Sequence, residues 1–444
     1  MGEGGTREPR EREGEGFGRV YASAGLMAEV RPVRGTRDYF PEDSRKQRFI
    51  EATAVEIAGR YGYGEISTPI FEFTEIFART LGDTSDIVTK EMYTLADRSG
   101  ESLTLRPENT AGVVRAVLSA GLVQQGPLKY VYRGPMFRYE RPQKGRLRQF
   151  HQVGVELLGV AEPAADIECI ALASDVLAAL GLGGAVMLEI NTLGDPDSRR
   201  AYTEGLVAYL TGHRDRLSED SRARLERNPL RILDSKDQSD RAVVAGAPSI
   251  LDSLNEASRA FFAAVCSGLD TLGIAYRVNP KLVRGLDYYS HTAFEFVTEA
   301  LGAQGTVLAG GRYDGLAEQI GGRALAGIGW AAGVERLMML TEAHGRQPPA
   351  EARPIAVVPQ GVAQEAAALR LAHELRAAGL CVDLGYGGAL GKRMKRANRI
   401  NARAAVILGE AELAREQAAV RDLDSGEQEE VPLAALAEHL ARFR

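Results

Sequence analysis

Residues 137–152 read FRYERPQKGRLRQFHQ and bring together Arg138, Arg141, Lys144, Arg146 and Arg148, with a single acid, Glu140, among them. The chain as a whole carries 54 basic and 60 acidic side chains, for a formal charge of −6. A local crowd of guanidinium groups in a chain of net negative charge points to a site for a polyanion, because the planar fork of arginine meets phosphate oxygens two at a time. The flanking residues alternate like strands and "RPQKG" is a turn signal, so the spacing predicts an antiparallel hairpin with a basic loop. Side chains two apart share a strand face. Arg138 and Glu140 then point one way, and on the return strand so do Arg146, Arg148, Phe150, Gln152, Gly154 and Glu156. That face offers cations for phosphate, a ring to stack on a base, an amide, a gap at Gly154 for a small ligand, and a carboxylate for a polar side chain. His151 has the opposite parity and reads as structural.

The hairpin needs a scaffold. "DSRKQRFIEATAVEIAGRYG" places Phe49, Ile50, Ala54, Ile57 and Ala58 on one helical face and stops at Gly62. Helical and strand patterns alternate from about residue 30 to 193. A polar helical stretch follows at 194–278, and "GIAYRVNPKLVRGLDYYSHTAFEFV" then alternates like strands. Gly310, Gly311, Gly327, Gly329 and Gly333 read as places where backbone approaches a ligand or a neighbouring strand. The Pro-rich segment 344–354 is a linker. Beyond it the order β-α-β-α-β predicts a compact α/β domain of about 90 residues. The expected domains are therefore a disordered tail at 1–28, a catalytic domain in two parts at 29–193 and 279–343, a helical insertion at 194–278, a linker at 344–352 and a C-terminal domain at 353–444.

Bulk properties narrow the class. No apolar run reaches the roughly 18 to 20 residues that cross a bilayer. The tail has no apolar core segment of the secretory kind. Cys169, Cys266 and Cys381 lie far apart, with neither a disulfide nor a zinc pattern, so the expected compartment is the cytoplasm. Any nucleic-acid contact must come from local patches, such as "GKRMKRANR" with Lys392, Arg393, Lys395, Arg396 and Arg399 in about two helical turns. That helix fits phosphate contact, and equally a solvated face.

The basic run resembles the second signature motif of class II aminoacyl-tRNA synthetases, in the form used by histidyl-tRNA synthetases. "GEISTPIFEFTEIF" resembles the first motif, which in this class forms a dimer interface. "AGIGWAAGVERLMML" resembles the third, and "LVRGLDYYSHTAFEF" a histidine-specific motif; "LTLRPENTAG" and "AGGRYDGL" also fit. The resemblance covers roughly residues 31–444. It implies an α/β chain with an α+β catalytic core: an antiparallel-sheet catalytic domain, a helical insertion and a C-terminal α/β anticodon-binding domain. It implies a homodimer that uses ATP and Mg²⁺, activates L-histidine and charges histidine tRNA. Protein ligands for the metal are not assigned.

Residue by residue, the resemblance places Arg138 at the α-phosphate and Arg146 and Arg336 at the β/γ end of ATP. It sets Phe150 under adenine, Glu140 at the adenine edge or orienting its neighbours, and Arg284 between α-phosphate and substrate carboxylate. It gives the ammonium group to Glu108, Thr110 and Gln152, and the imidazole to Glu156 and Tyr289 with Tyr288 and Tyr313 nearby. Arg141 and Gln143 match positions that contact the 5′ end of the tRNA, and Lys392, Arg393 and Arg396 belong to the domain that reads the anticodon. Glu108 is also placed to favour a helix N-terminus. Tyr288 and Tyr289, read as a strand, fall on opposite faces, which makes one of them core. Two rivals stand beside this reading: a non-catalytic synthetase-like regulator of histidine biosynthesis, and an ATP-dependent ligase with another acceptor. The presence of Arg138, Arg284 and Arg336 argues against the first, and that of residues 353–444 against both.

Overall fold

A computed structural model of the chain describes residues 30–81, 87–143, 145–283, 288–302 and 305–443. These form two compact units that divide between Pro348 and Pro349. The expected tail at 1–28 lies outside the described residues.

The first unit opens with α1 (Pro41–Arg60), which has Pro41 at its start and Glu42 and Asp43 in its first turn, where acids favour the positive helix end. Then come β1 (Gly64–Glu65), β2 (Phe71–Phe73), α2 (Thr74–Leu81), β3 (Tyr93–Ala96), β4 (Ser102–Leu105), α3 (Thr110–Ser119), β5 (Leu128–Phe137) and β6 (Gln149–Leu158). The chain continues through α4 (Pro163–Ala179), β7 (Met187–Thr192), α5 (Pro196–Gly212), α6 (Glu219–Arg227), α7 (Gln238–Val244), α8 (Glu256–Thr271), β8 (Tyr276–Val278) and β9 (Ser290–Val297). It closes with β10 (Thr306–Arg312), α9 (Leu316–Gln319), β11 (Gly327–Gly333) and α10 (Val334–Ala343).

An eight-stranded sheet in the order β1-β5-β6-β11-β10-β9-β7-β8 organises this unit. Its pairs from β5 to β7 are all antiparallel, which agrees with the expected fold class. Strand β6 explains the layering. Val153, Val155 and Leu157 enter a core shared with α1, α4, α8 and α10. Residues of the other parity face the opposite side, where Leu158 and Phe150 join a second core with Tyr132, Met136 and residues of α3. The period-2 alternation of β6 thus holds a helical layer on one face and frees the other for chemistry.

The stretch 194–278, read as one helical insertion, splits in space. Its own small core runs from Tyr202 to Leu254. Phe262, Val265 and Leu269 of α8 join the main core, and β8 pairs with β7 in the large sheet. Polar residues upstream obscure the apolar face of α8 in the sequence. The insertion is stapled at its base: Asp195 and Asn255 cap α5 and α8, and Asn255 Nδ2 donates to Asp195 at 2.6 Å.

The second unit contains β12 (Ile355–Pro359), α11 (Glu365–Ala377), β13 (Val382–Leu384), α12 (Leu390–Arg399), β14 (Ala404–Leu408), α13 (Glu410–Ala414), β15 (Gln417–Asp422), β16 (Gln428–Pro432) and α14 (Leu436–Leu440). Strands β13, β12 and β14 are parallel, as the β-α-β-α-β order requires. The antiparallel pair β15–β16 extends the sheet, an addition the pattern reading did not make.

Candidate active site

The hairpin predicted from the basic run is β5–β6, paired from Leu128↔Leu158 to Phe137↔Gln149. Beside it lies a cavity of about 330 Å³. Arg138, Glu140, Arg146, Phe150, Gln152, Arg336, Glu108, Thr110, Tyr288 and Tyr289 all line it, so residues scattered over more than 200 positions meet at one place. Arg284 lies outside the described residues.

One end of the cavity is cationic. Arg138 donates from Nε to the Pro107 carbonyl at 2.9 Å, and its Cζ lies 5.2 Å from the centre of the Phe150 ring. Arg146 pairs with Glu140 at 3.0 Å. Arg336, at the start of α10, donates to the carbonyls of Thr306 at 2.7 Å and Gly145 at 3.3 Å. Burial first, then the nearby charges of Arg146 and Arg138, hold the Arg336 guanidinium below the usual arginine range. The part of that depression due to Arg146 and Arg138 is one that an anion bound there would relieve.

Arg148 departs from the expected face. Strand β6 begins at Gln149, and Arg148 instead packs its Cζ 3.8 Å from the centre of the Tyr139 ring, with Nε donating to the Glu140 carbonyl. It does not line the cavity.

The other end is a buried polar nest. Glu156 is fully buried and accepts from Thr110 Oγ1 at 2.7 Å and from the Tyr313 hydroxyl. Burial pushes its carboxyl up to about 8, against the pull of Tyr313 and Thr110. Room for it comes from Gly329, its partner on β11, where any Cβ would overlap the carboxylate. Gly154 offers no gap for a ligand: the Tyr132 ring and hydroxyl, cross-strand on β5, already occupy that space. Neither Glu156 nor Tyr313 is on the cavity wall; the pair lies behind Thr110, which does line it.

Glu108 accepts from the backbone amides of Thr110 at 2.6 Å and Ala111 at 3.0 Å, so it does steady the start of α3 while lining the cavity. Burial lifts its carboxyl above the usual range despite those donors. Tyr288 and Tyr289 precede β9 instead of sitting within it. Both are buried, both line the cavity, and their rings lie 4.6 Å apart. The opposite-face reading failed because the strand starts only at Ser290, after both tyrosines. Gln152 Oε1, a buried acceptor in the site, has no hydrogen-bond partner among the described residues.

Two contributors escaped the sequence reading. Arg199 on α5 donates to the Tyr289 carbonyl at 2.9 Å, tying the insertion to the tyrosine pair. Glu335, next to Arg336, accepts from the His151 amide at 2.9 Å, its imidazole Nδ1 at 2.9 Å and Tyr39 at 2.7 Å. His151 is therefore structural, as its parity implied. Burial opposes the Glu335 charge, yet these bonds hold its carboxyl below the usual range.

A family description, histidyl-tRNA synthetase, matches residues 35–337, and another, anticodon binding domain, matches 354–442. A histidine–tRNA ligase of Rhodospirillum rubrum is 67% identical over 417 residues, covering 94% of this chain and all of the relative. One from Gluconacetobacter diazotrophicus is 57% identical over 415 residues, covering 94% and 99%. The chain belongs to the histidyl-tRNA synthetase family. The apo histidyl-tRNA synthetase of S. aureus has the same fold at 37% identity, with a TM-score of 0.79 over 93% of this chain and 99% of that one.

Within this synthetase framework, the residues expected to meet RNA divide. Arg141 and Gln143 are exposed in the hairpin loop. On α12, Lys392 is exposed, but Arg393 is 4% exposed and donates to the Pro359 carbonyl at 2.7 Å and to Glu365. Arg393 thus fastens its helix to β12 and cannot present its charge to a phosphate. Arg396 is committed to Asp383 through two bonds of 3.0 and 2.7 Å. A run of basic residues on one helix reads alike in sequence, and only the packed face tells structural from exposed members.

Proposed function

We propose that the chain joins L-histidine to ATP, giving histidyl-adenylate and pyrophosphate, and then passes the histidine to the 3′-terminal adenosine of histidine tRNA. The observation that carries this reading is the two-ended cavity, with arginines beside a phenylalanine at one end and the Glu108 carboxyl with Thr110, Tyr288 and Tyr289 at the other. Attack of a carboxylate on the α-phosphate brings two anions together and builds charge on the phosphorus oxygens. Fixed cations lower that barrier by electrostatics and positioning. Arg138 and Arg284 take the α-phosphate, Arg146 and Arg336 the far phosphates, and Phe150 the adenine face with Glu140 at its edge. The substrate ammonium supplies the donor that Gln152 Oε1 lacks, and Glu108 and Thr110 stand beside it. Glu156, behind Thr110, and Tyr289 are assigned to the two imidazole nitrogens; a protonated carboxyl has both an O–H to donate and a lone pair to accept. A pocket that must satisfy buried polar groups rejects side chains that lack the matching atoms.

Mg²⁺ brought in on the ATP phosphates needs only one or two carboxylates. Glu295 lines the cavity and fits that need, and the ion would neutralise phosphate charge there. A homodimer is supported by the three-stranded sheet β2-β4-β3. It presents Phe71 and Phe73, 55% and 47% exposed, with Leu95 on one face. Among the described residues no helix is long and apolar enough to cross a membrane, and we place the enzyme in the cytoplasm with its tRNA. The regulatory alternative has no use for an anticodon domain or a complete set of phosphate-binding arginines. Charging of total tRNA with each amino acid in turn tests the function: histidine alone should be esterified, to one tRNA species. Charging with a different amino acid would overturn the assignment.

A further inference from the structure

The second unit holds out one aromatic ring on a loop of glycines. Tyr386 is 74% exposed, between Gly385 and Gly387, with Gly388 at φ +96°. It lies two residues past the end of β13, at the carboxyl edge of the parallel strands β13, β12 and β14. Open α/β sheets take their ligands outside that edge. Val362, 82% exposed, follows the end of β12 on the same edge. The Tyr386 ring is held from within the unit: the Arg396 Cζ lies 5.4 Å from its centre, and Arg396 is itself fixed by its two bonds to Asp383. Along α12, Lys392, Lys395 and Arg399 are exposed and, among the described residues, make no ion pair. A fixed, accessible ring bordered by unneutralised cations is the arrangement that binds an unstacked base with its flanking phosphates.

We propose that Tyr386 is the stacking platform for one unpaired base of the tRNA anticodon loop. In this arrangement Arg396 fixes the ring, and Lys392, Lys395 and Arg399 hold the neighbouring phosphates. The proposal rests on the reading of this unit as the RNA reader and says where a base goes. Base–aromatic stacking contributes about 1–3 kcal/mol per base, so at 1.4 kcal/mol per tenfold Tyr386→Ala should raise the KM for histidine tRNA roughly 5- to 150-fold. Tyr386→Phe should keep the stack and stay near the unsubstituted enzyme. The slope of log KM against log salt should be unchanged in Tyr386→Ala, since no phosphate contact is lost, and should fall by about one in Lys395→Gln.

The decisive experiment crosses the protein variants with tRNA transcripts carrying a single abasic nucleotide at each anticodon-loop position in turn. Full-length enzyme is used, and histidine-dependent pyrophosphate exchange is followed on the same preparations to confirm an intact catalytic unit. The proposal expects one abasic position at which the cost of Tyr386→Ala disappears. If unsubstituted enzyme discriminates abasic transcripts but Tyr386→Ala costs the same at every position, or nothing, the stacking assignment is wrong and the RNA-reading role stands. Equal damage from Ala and Phe would assign the effect to the hydroxyl and also overturn the stack. If the unsubstituted enzyme ignores every abasic position, the RNA-reading role fails and takes this proposal with it.

Discussion

Replacing Glu156 by glutamine removes one titrating proton from the middle of the catalytic sheet, and the consequence can be worked out from its surroundings. The side chain is fully buried between Thr110 and Tyr313, and burial moves its carboxyl from the ordinary 4.5 up to about 8. The folded chain therefore keeps a proton that the unfolded chain releases. The stability from this group is complete below pH 4.5 and is lost as the pH rises through about 8. Between those limits the loss is about 1.4 kcal/mol per pH unit, so from pH 5.5 to 7.5 it amounts to roughly 2 to 3 kcal/mol. Glutamine is isosteric and does not titrate. The unfolding free energy of the unsubstituted protein relative to Glu156→Gln should therefore fall by these amounts as pH rises. Trp330 provides the local probe: it is the one tryptophan in the chain, 2% exposed, on β11 beside the partner of Glu156. Its fluorescence, followed in urea at a fixed protein concentration and at pH 5.5, 6.5 and 7.5, reports unfolding of the first unit alone. Parallel pH profiles for the two proteins would refute the assignment of a raised, proton-holding carboxyl. On the functional side, Glu156→Ala should raise the histidine KM while leaving the ATP KM nearly unchanged; an equal loss of ATP affinity would make Glu156 a support of the hairpin only.

Asp166→Asn takes from the fully buried Arg312 guanidinium one of its two carboxylate partners, leaving Asp314 at 3.0 Å, and should cost about 1–3 kcal/mol in urea unfolding of the first unit; a loss under about 0.5 kcal/mol would count against it. Arg284→Ala should cut pyrophosphate exchange roughly 10²-fold or more, as loss of one donor to a developing oxyanion does; near-normal exchange in a folded variant would remove Arg284 from the chemistry. Deleting 353–444 removes a unit with its own core, so exchange should persist in a dimeric preparation while charging suffers through a raised tRNA KM. Unchanged charging at low tRNA concentration would deny the domain its RNA role.

The sequence disclosed most where chemistry depends on local spacing. Val153, Val155 and Leu157 alternate with Phe150 and Gln152, and the sheet honours that alternation, one set in the core and the other on the cavity. It disclosed less where a strand boundary decides the face. A start of β9 at Ser290 leaves Tyr288 and Tyr289 packed on each other before the strand, and a start of β6 at Gln149 turns Arg148 onto Tyr139. The gap read at Gly154 was a demand from across the ladder, since glycine there makes way for Tyr132. Arg393 and Lys392 are adjacent and alike in charge, and only the packing of α12 against β12 makes the first a fastener. Glu335 and Arg199 act through backbone groups distant in sequence, so no spacing could have marked them.

Histidine-dependent exchange of labelled pyrophosphate into ATP, with purified protein and no tRNA, tests the central claim most directly, because it asks whether the two-ended cavity joins these two substrates. The account predicts exchange that saturates with L-histidine and is lost when the cationic end is weakened in Arg138→Ala. Exchange that proceeds equally with other amino acids, or none at all from a folded dimer, would contradict it.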